Sequence, residues 1–331
     1  MAYRDLSDDE QVDVLRPVAA AAAARFGLDL VRMEVEAHGY NTTFSAETAG
    51  GARYALRVNT NSHSTSENVV AQQAWQCAIA SETDVLVPEP LVTPDGDWYV
   101  EVASEGFGCS LLVTAASWLA GPDVGEIDVV VARELGQTMA LLHEQSQNWS
   151  LPDGGVMPRF DTPLFGDEYL LDSAPGLSGD KLDVLEQARE MTSRSFAVLY
   201  DGVAVQPLHA DLHGGNLKWD NGRLAVFDFD DCGLGLPVLD LAISAFYLRG
   251  EDPAPEQALA AGYAEVTALP DVAPADFEAL VAARQLLLAN SLLASSTAEL
   301  AREAERYLDA TVGRLRHWLE SGSFTRVSLG G

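Results

Sequence analysis

The sequence predicts an α+β chain of two lobes, a β-rich first lobe with one main helix and a mostly helical second lobe. Three observations predict it. Five strand-like runs crowd the first third, with one long helical stretch after the third of them. Past residue 121 the apolar periodicity turns helical. The one break in that half is a pair of short apolar runs around Asn221-Gly222, the strongest short-range hairpin signal. At 331 residues the chain is long enough for two such units, and its 47% hydrophobic content is that of a globular protein.

Ser7-Asp8-Asp9-Glu10 reads as a capping box opening a helix, which the alanines at 19–24 extend and Gly27 stops. Pro17 is expected to kink or split that helix. Strands follow over 30–37, 42–48 and 53–59. The first alternates Val31, Met33 and Val35 against Arg32, Glu34 and Glu36. Residues 62–66 form a polar loop. A helix over 67–80 should turn Val70, Ala74, Trp75 and Ala78 to one side. Residues 97–102 and 109–114 read as a hairpin about 105–108. Residues 1–113 thus form the first lobe, 114–121 a hinge, and 122–331 the second lobe. Helices are expected there over 125–143, 180–200, 240–249, 255–268, 275–296 and 298–320.

Charge is the unusual bulk property. Twenty basic against 50 acidic residues give −30, and Lys181 and Lys218 are the only lysines. Nucleic acid and anionic membrane are therefore poor partners for the surface as a whole. Such acidity suits a cytoplasm of high salt, where screening removes long-range repulsion. The N-terminus lacks a basic start and an apolar core, so no signal peptide is expected and the compartment is read as cytoplasmic. No apolar run reaches the length of a membrane span. Cys77, Cys109 and Cys232 have no metal-ligand spacing and imply no disulfide framework.

The chemistry concentrates at 209–231. Asp211 and Asn216 precede the hairpin and Asp228 leaves it, so the three side chains should converge. One reading is a metal cluster, His209-x-Asp211-x-His213, as in a zinc or di-metal hydrolase. Pro207 and Gly214-Gly215 favour a loop there instead, and that reading leaves Asn216 and the hairpin unexplained.

The order of elements, with His209-Ala-Asp211-Leu-His213-Gly-Gly-Asn216, then Asp228-Phe229-Asp230-Asp231, then Pro237-Val-Leu-Asp240-Leu-Ala242, resembles the protein-kinase-like phosphotransferases. The wording is similar to the aminoglycoside and choline phosphotransferase branch. The Asp-Phe-Asp-Asp-Cys-Gly form looks like the subgroup of type II homoserine kinases and stress-response kinases. The resemblance implies a two-lobed protein-kinase-like fold using ATP and Mg²⁺. It implies that Asp211 accepts the proton of a substrate hydroxyl, and that Asn216 and Asp228 hold Mg²⁺. His209 and Asp240 would brace the loop. Arg57 stands where the family has the lysine that grips ATP phosphates, and a guanidinium suits that work. A helix glutamate should pair with it; by spacing from Trp75, Gln72 stands there, with Glu67 the other candidate. The glycine-rich loop is reduced to His38-Gly39-Tyr40-Asn41-Thr42-Thr43, so Asn41 and Thr42 should help cover the phosphates. Adenine should meet the backbone near 111–114. His143 reads as a core or helix-capping residue and Cys232 as a small buried filler.

The implied substrate is a small hydroxyl compound, and Asp230 and Asp231 could face its cationic group. Homoserine, choline-like alcohols and aminosugars fit. A protein Ser/Thr kinase is the second reading, disfavoured by the short stretch from Asp228 to the next helix. The thin glycine loop and Gln72 motivate a third, a nucleotide-binding pseudo-kinase.

Overall fold

The computed structural model describes residues 3–61, 64–174, 177–295 and 297–327. Ser62 and His63, within the expected polar loop, lie outside them. The chain opens with α1 (Asp8–Arg25), capped by Ser7 and Glu10 in a full capping box. Pro17 does not split it; the helix runs through. Strands β1 (Leu30–His38), β2 (Thr42–Thr48) and β3 (Arg53–Val58) lead into α2 (Ser66–Glu82). Strands β4 (Val100–Ser104) and β5 (Cys109–Ser117) complete an antiparallel sheet of order β1-β2-β3-β5-β4. α1 packs on this sheet through Leu15, Ala19 and Ala22 against Phe44, Leu56 and Val113.

The clean alternation expected of β1 fails. Register shifts between Leu30 and Arg32 and between Val35 and Ala37 break the two-residue period. Val31 and Val35 are exposed, while Leu30 and Met33 pack on the core.

The expected face of α2 is also rotated. Trp75 is buried, but Val70, Ala74 and Ala78 are only half-buried. The inward positions are Val69, Gln72, Gln73, Gln76 and Ile79. Trp75 and Ile79 join Leu135, Met139 and Phe229 of the second lobe, so α2 is shared between lobes.

The second lobe holds α3 (Val129–Ser146), α4 (Asp180–Leu199), β6 (Gln206–Leu208), β7 (Leu217–Asp220), β8 (Arg223–Val226), β9 (Gly233–Gly235), α5 (Pro237–Leu248), α6 (Ala254–Val266), α7 (Pro274–Ala294) and α8 (Ala298–Ser321). α3 starts at its Asp128 cap, so Ile127 lies before it rather than on it. α5 starts at Pro237, a favoured first-turn position, which brings Asp240 into the first turn. The hairpin β7–β8 turns on Asn221 and Gly222, both at positive φ, as a tight two-residue turn requires. The sequence did not reveal the pairing of β6 with β9, two three-residue strands without a periodic signal. By length and composition alone α7 could cross a membrane, contrary to expectation; here it is a core helix packed on α4, α5 and α8.

Gly136 on α3 and Gly262 on α6 let these helices touch backbone to backbone. A Cβ at Gly136 would strike Leu259 O, and one at Gly262 would strike Arg133 O. This approach sets the position of His143 and Tyr263, which matter below. Gly262→Ala should lower stability by about 1–3 kcal/mol through overpacking. Denaturant melts check this, with an unchanged midpoint as the contrary result.

Candidate active site

The site begins with a carboxylate that binds backbone. Asp240 is fully buried and accepts N–H bonds from His209 (3.2 Å) and Ala210 (2.7 Å). It also accepts from His143 Nε2 (3.0 Å). The His143 Nδ1 is then the acceptor for Tyr263 OH, 2.9 Å away. His143 is therefore more than a core filler, since it joins α3 and α6 to the loop. Ala210 sits at φ +62°, a conformation alanine disfavours by roughly 1–2 kcal/mol. The two bonds to Asp240 hold it there.

His209 is buried, donates from Nε2 to Phe227 O (3.0 Å) and accepts the Asp211 N–H at Nδ1 (3.3 Å). Burial pushes its pKa down. Phe229 packs against His209 on one side and edge-on to Trp75 of α2 on the other, with ring centroids 4.6 and 5.6 Å apart. The loop and the Asp-Phe turn are thereby fixed to each other and to α2.

Asp211 and Asn216 meet across the short turn over Gly214–Asn216 that leads into the hairpin. Asn216 Nδ2 donates to both Asp211 O and Oδ2, each at 2.9 Å. His213 Nε2 lies 3.4 Å from the same Oδ2, while its Nδ1 accepts from Gly215 N. The opposite oxygen, Oδ1, is gripped by Arg284 of α7 and approached by Tyr247 OH at 3.4 Å. Burial alone would raise the Asp211 pKa; Arg284 and His213 overcome it and hold the carboxyl well below the usual range. With their ring nitrogens engaged in this way, His209 and His213 do not form a metal cluster with Asp211. Among the described residues no group of three or more His, Cys, Asp or Glu could hold a metal ion.

Sequence reading missed Arg284. The signal was available: an arginine inside the apolar run of α7 must find an acid when it folds inward.

Asp228 leaves β8 in the left-handed region, φ +65°, which aspartate tolerates better than most residues. It pairs with Arg57 at 2.8 Å. Burial, with Asp230 and Asp211 nearby, raises its pKa despite Arg57.

Asp230 corrects an expectation. Rather than facing a substrate, it is claimed by three first-lobe groups: Arg57 Nε (2.5 Å), Asn41 Nδ2 (2.5 Å) and Gln72 Nε2 (2.8 Å). Gln72 accordingly does not pair with Arg57; both donate to Asp230. Glu67 is exposed at the start of α2 and accepts from Ser66 Oγ, so it is no alternative partner. Asn41 spends its carbonyl oxygen on Thr60 N and Asn61 N, which leaves its side chain to shape the turn rather than reach a phosphate. Thr42 is fully buried, with its hydroxyl 2.8 Å from His38 Nδ1; its neighbour Thr43 points the other way, to the cleft. Of the expected 111–114, Leu111 and Val113 face the first-lobe core and Thr114 borders the cleft, which continues along Ala116 and Ser117 of β5 and along Trp118 and Leu119 beyond it.

Two cavities share a wall. One of about 360 Å³ lies between the sheet and the hairpin and is lined by Thr43, Thr114, Trp118, Asn216 and Lys218. The other, about 400 Å³, is lined by Tyr40, Phe160, Asp211, Asp231, Arg284 and Leu288. Arg57, Gln72, Asp228 and Asp230 border both.

The donor set suits a hard divalent cation. Asn216 and Asp228 offer one amide and one carboxylate oxygen to the same cavity. Five carboxyls, Asp167, Asp211, Asp228, Asp230 and Asp231, line the second cavity with two guanidiniums, Arg57 and Arg284, which leaves three formal negative charges. Magnesium usually takes one or two carboxylates, with phosphates and water completing its shell.

Replacing Asp240 with Asn should lower stability by about 2 kcal/mol, because a charge-assisted clamp becomes a neutral one with a donor facing donors. Denaturant unfolding reads this directly; a shift of a few tenths would contradict it.

Asp231 offers a pH test. Burial in the cleft, with Asp211, Asp228 and Asp230 nearby, pushes its carboxyl up to about 7, above its ordinary 3.8. The folded value exceeds the unfolded one, so the protonated form favours folding. That contribution is full below pH 4 and is lost as pH rises through 7. Its side chain opens on cleft water, which screens part of the effect. Asp231→Asn should melt higher than the natural protein above pH 7 and together with it near pH 4. Parallel melting curves at both pH values would contradict this.

Known proteins resemble this chain in sequence and fold. Residues 34–277, well over half of the chain, match the model of APH, the phosphotransferase enzyme family. An amicoumacin kinase of Bacillus subtilis (strain 168) is 28% identical over 232 residues, 68% of this chain and 66% of that protein. The chain thus spans just under two thirds of that relative's length. Among solved structures, a microcompartment-associated aminopropanol kinase superposes with a TM-score of 0.76, covering 93% of this chain and 99% of that one at 24% identity. An amicoumacin kinase in complex with AMP-PNP, Ca²⁺ and Ami superposes at 0.73, covering 90% and 93% at 18% identity. These two structures share the fold, a β-sheet lobe set on a mostly helical one. The chain belongs to the APH family of phosphotransferase enzymes.

Proposed function

We propose that the protein is an ATP- and Mg²⁺-dependent phosphotransferase that moves the γ-phosphate of ATP to a hydroxyl of a small, amine-bearing molecule. The observation that carries this is the wall common to the two cavities. Asn216 borders only the cavity under the sheet, Asp211 only the other, and Arg57 and Asp228 border both. A phosphoryl group passing between a donor in the first and an acceptor in the second would cross at Arg57 and Asp228.

Phosphoryl transfer asks the protein for positioning and charge neutralisation more than covalent chemistry. Asp211, kept ionised by Arg284, orients the acceptor hydroxyl and takes its proton. Arg57 supplies positive charge where the phosphates meet. Asn216 and Asp228 would hold Mg²⁺, whose chemistry is to neutralise charge on the phosphate oxygens.

An amine-bearing acceptor fits the acceptor cavity, where Asp231 and Asp167 stand beside Tyr40, Phe160 and Phe165. The names of the relatives support this, since one is a kinase of aminopropanol. The Asp228-Phe-Asp-Asp-Cys-Gly wording supports placement near the type II homoserine and stress-response kinases within the family. A small acceptor is favoured over a peptide. Between Asp228 and α5 the chain forms only a short turn and β9, which is paired with β6, so no long segment is left to dock a peptide.

The test is ADP release with ATP and Mg²⁺ across homoserine, aminopropanol, choline, ethanolamine and aminoglycosides, at low and high salt. Release with at least one amine-bearing alcohol is expected; silence across the panel favours a nucleotide-binding pseudo-kinase. With the best acceptor, Asp211→Asn should lower kcat about 10²–10⁴-fold while ATP still binds. Undiminished turnover would remove Asp211 from its role.

A further inference from the structure

We infer that a third cavity, behind the catalytic loop, binds a phosphate-class oxyanion between Arg314 of α8 and Arg326. The cavity is about 630 Å³ and reaches from Gly214 and Tyr247 to Arg249, Arg314 and Arg326. Its arginines differ in how they are satisfied. Arg249 is neutralised by Glu256 (2.9 Å) and Glu278 (2.5 Å). Among the described residues Arg314 donates only to neutral oxygens, Gln285 Oε1 at 3.0 Å and Arg326 O at 3.2 Å. Arg326 donates from Nη1 to Tyr247 O (3.3 Å) and lies over the rings of Phe246 and Tyr247. Its Nε is buried without an acceptor among the described residues.

Two guanidiniums without a carboxylate partner among the described residues are unexpected in a chain of net charge −30. Burial and the nearby Arg326 hold the Arg314 pKa below its ordinary value, as two close like charges should. The acids at this cavity, Glu126, Glu251 and Asp252, are exposed, and Asp252 caps the start of α6 at Ala254 N.

Paired guanidinium forks match an oxyanion with several oxygens far better than a monatomic halide. Such an anion would supply the negative charge that both arginines lack. Its two natural sources are free phosphate and a phosphate monoester. The position has a consequence for the catalytic loop, because Arg326 holds the carbonyl of Tyr247, whose hydroxyl reaches Asp211 and Arg284.

The experiment is calorimetric titration of the full chain with inorganic phosphate at constant ionic strength, with saturating ADP and Mg²⁺ filling the nucleotide cleft. Saturable binding is expected, competed by sulfate and not by chloride. Arg314→Gln and Arg326→Gln should each weaken it about tenfold, and Arg326→Lys should keep part of it. A parallel titration with phosphoethanolamine separates the sources: tighter binding than phosphate assigns the site to a monoester, equal binding to the free anion. Should a Gln variant not fold, arsenate soaked into crystals of the natural protein decides by density between the two guanidiniums. Absence of saturable binding, equal binding in folded Gln variants, or no such density would overturn the inference.

Discussion

The site depends on one buried carboxylate. Asp240 accepts two backbone N–H groups from the start of the catalytic loop and one ring N–H from His143. An ionised carboxylate without partners could not remain in that core. With them, it holds Ala210 in a left-handed turn and so places Asp211 on the wall of the cavity lined by Tyr40 and Arg284. The helices serve this contact. Pro237 starts α5 early enough to put Asp240 in its first turn, and the close approach of α3 and α6 sets His143 and Tyr263 behind it.

A second carboxylate ties the lobes together. Asp230 draws in Arg57 from β3, Gln72 from α2 and Asn41 from the turn before β2. One anion thus fixes three first-lobe elements to the turn that carries Asp228. Charge explains why the tie is anionic on the second-lobe side. The first lobe contributes one arginine to the cleft, and the surplus of acid around it is what a divalent cation would balance.

The lobe order, the capping box of α1, the Asn221-Gly222 hairpin and the helices of the second lobe were legible in the sequence, because each rests on local chemistry. The convergence of Asp211, Asn216 and Asp228 was expected from the hairpin and the resemblance together, whereas the pairing of Asp228 with Arg57 was not. What failed depends on contacts across the chain. Bulges turned Val31 and Val35 outward in β1, and no local signal marked them. Thr42 and Thr43 exchanged roles because strand alternation decides which of two neighbours faces the cleft. Gln72 was placed near Arg57, but its true partner, Asp230, lies 158 positions on. Arg284 lies 73 positions from Asp211, beyond any motif.

The central claim is that the wall shared by the two cavities carries a phosphoryl group from nucleotide to alcohol. Phosphorus NMR of the protein with ATP, Mg²⁺ and an amino alcohol follows that group directly. A new phosphate monoester resonance, appearing as the γ-phosphate of ATP disappears, is the predicted result. Loss of the γ-phosphate to free phosphate alone, or its persistence with every amino alcohol supplied, would contradict the account.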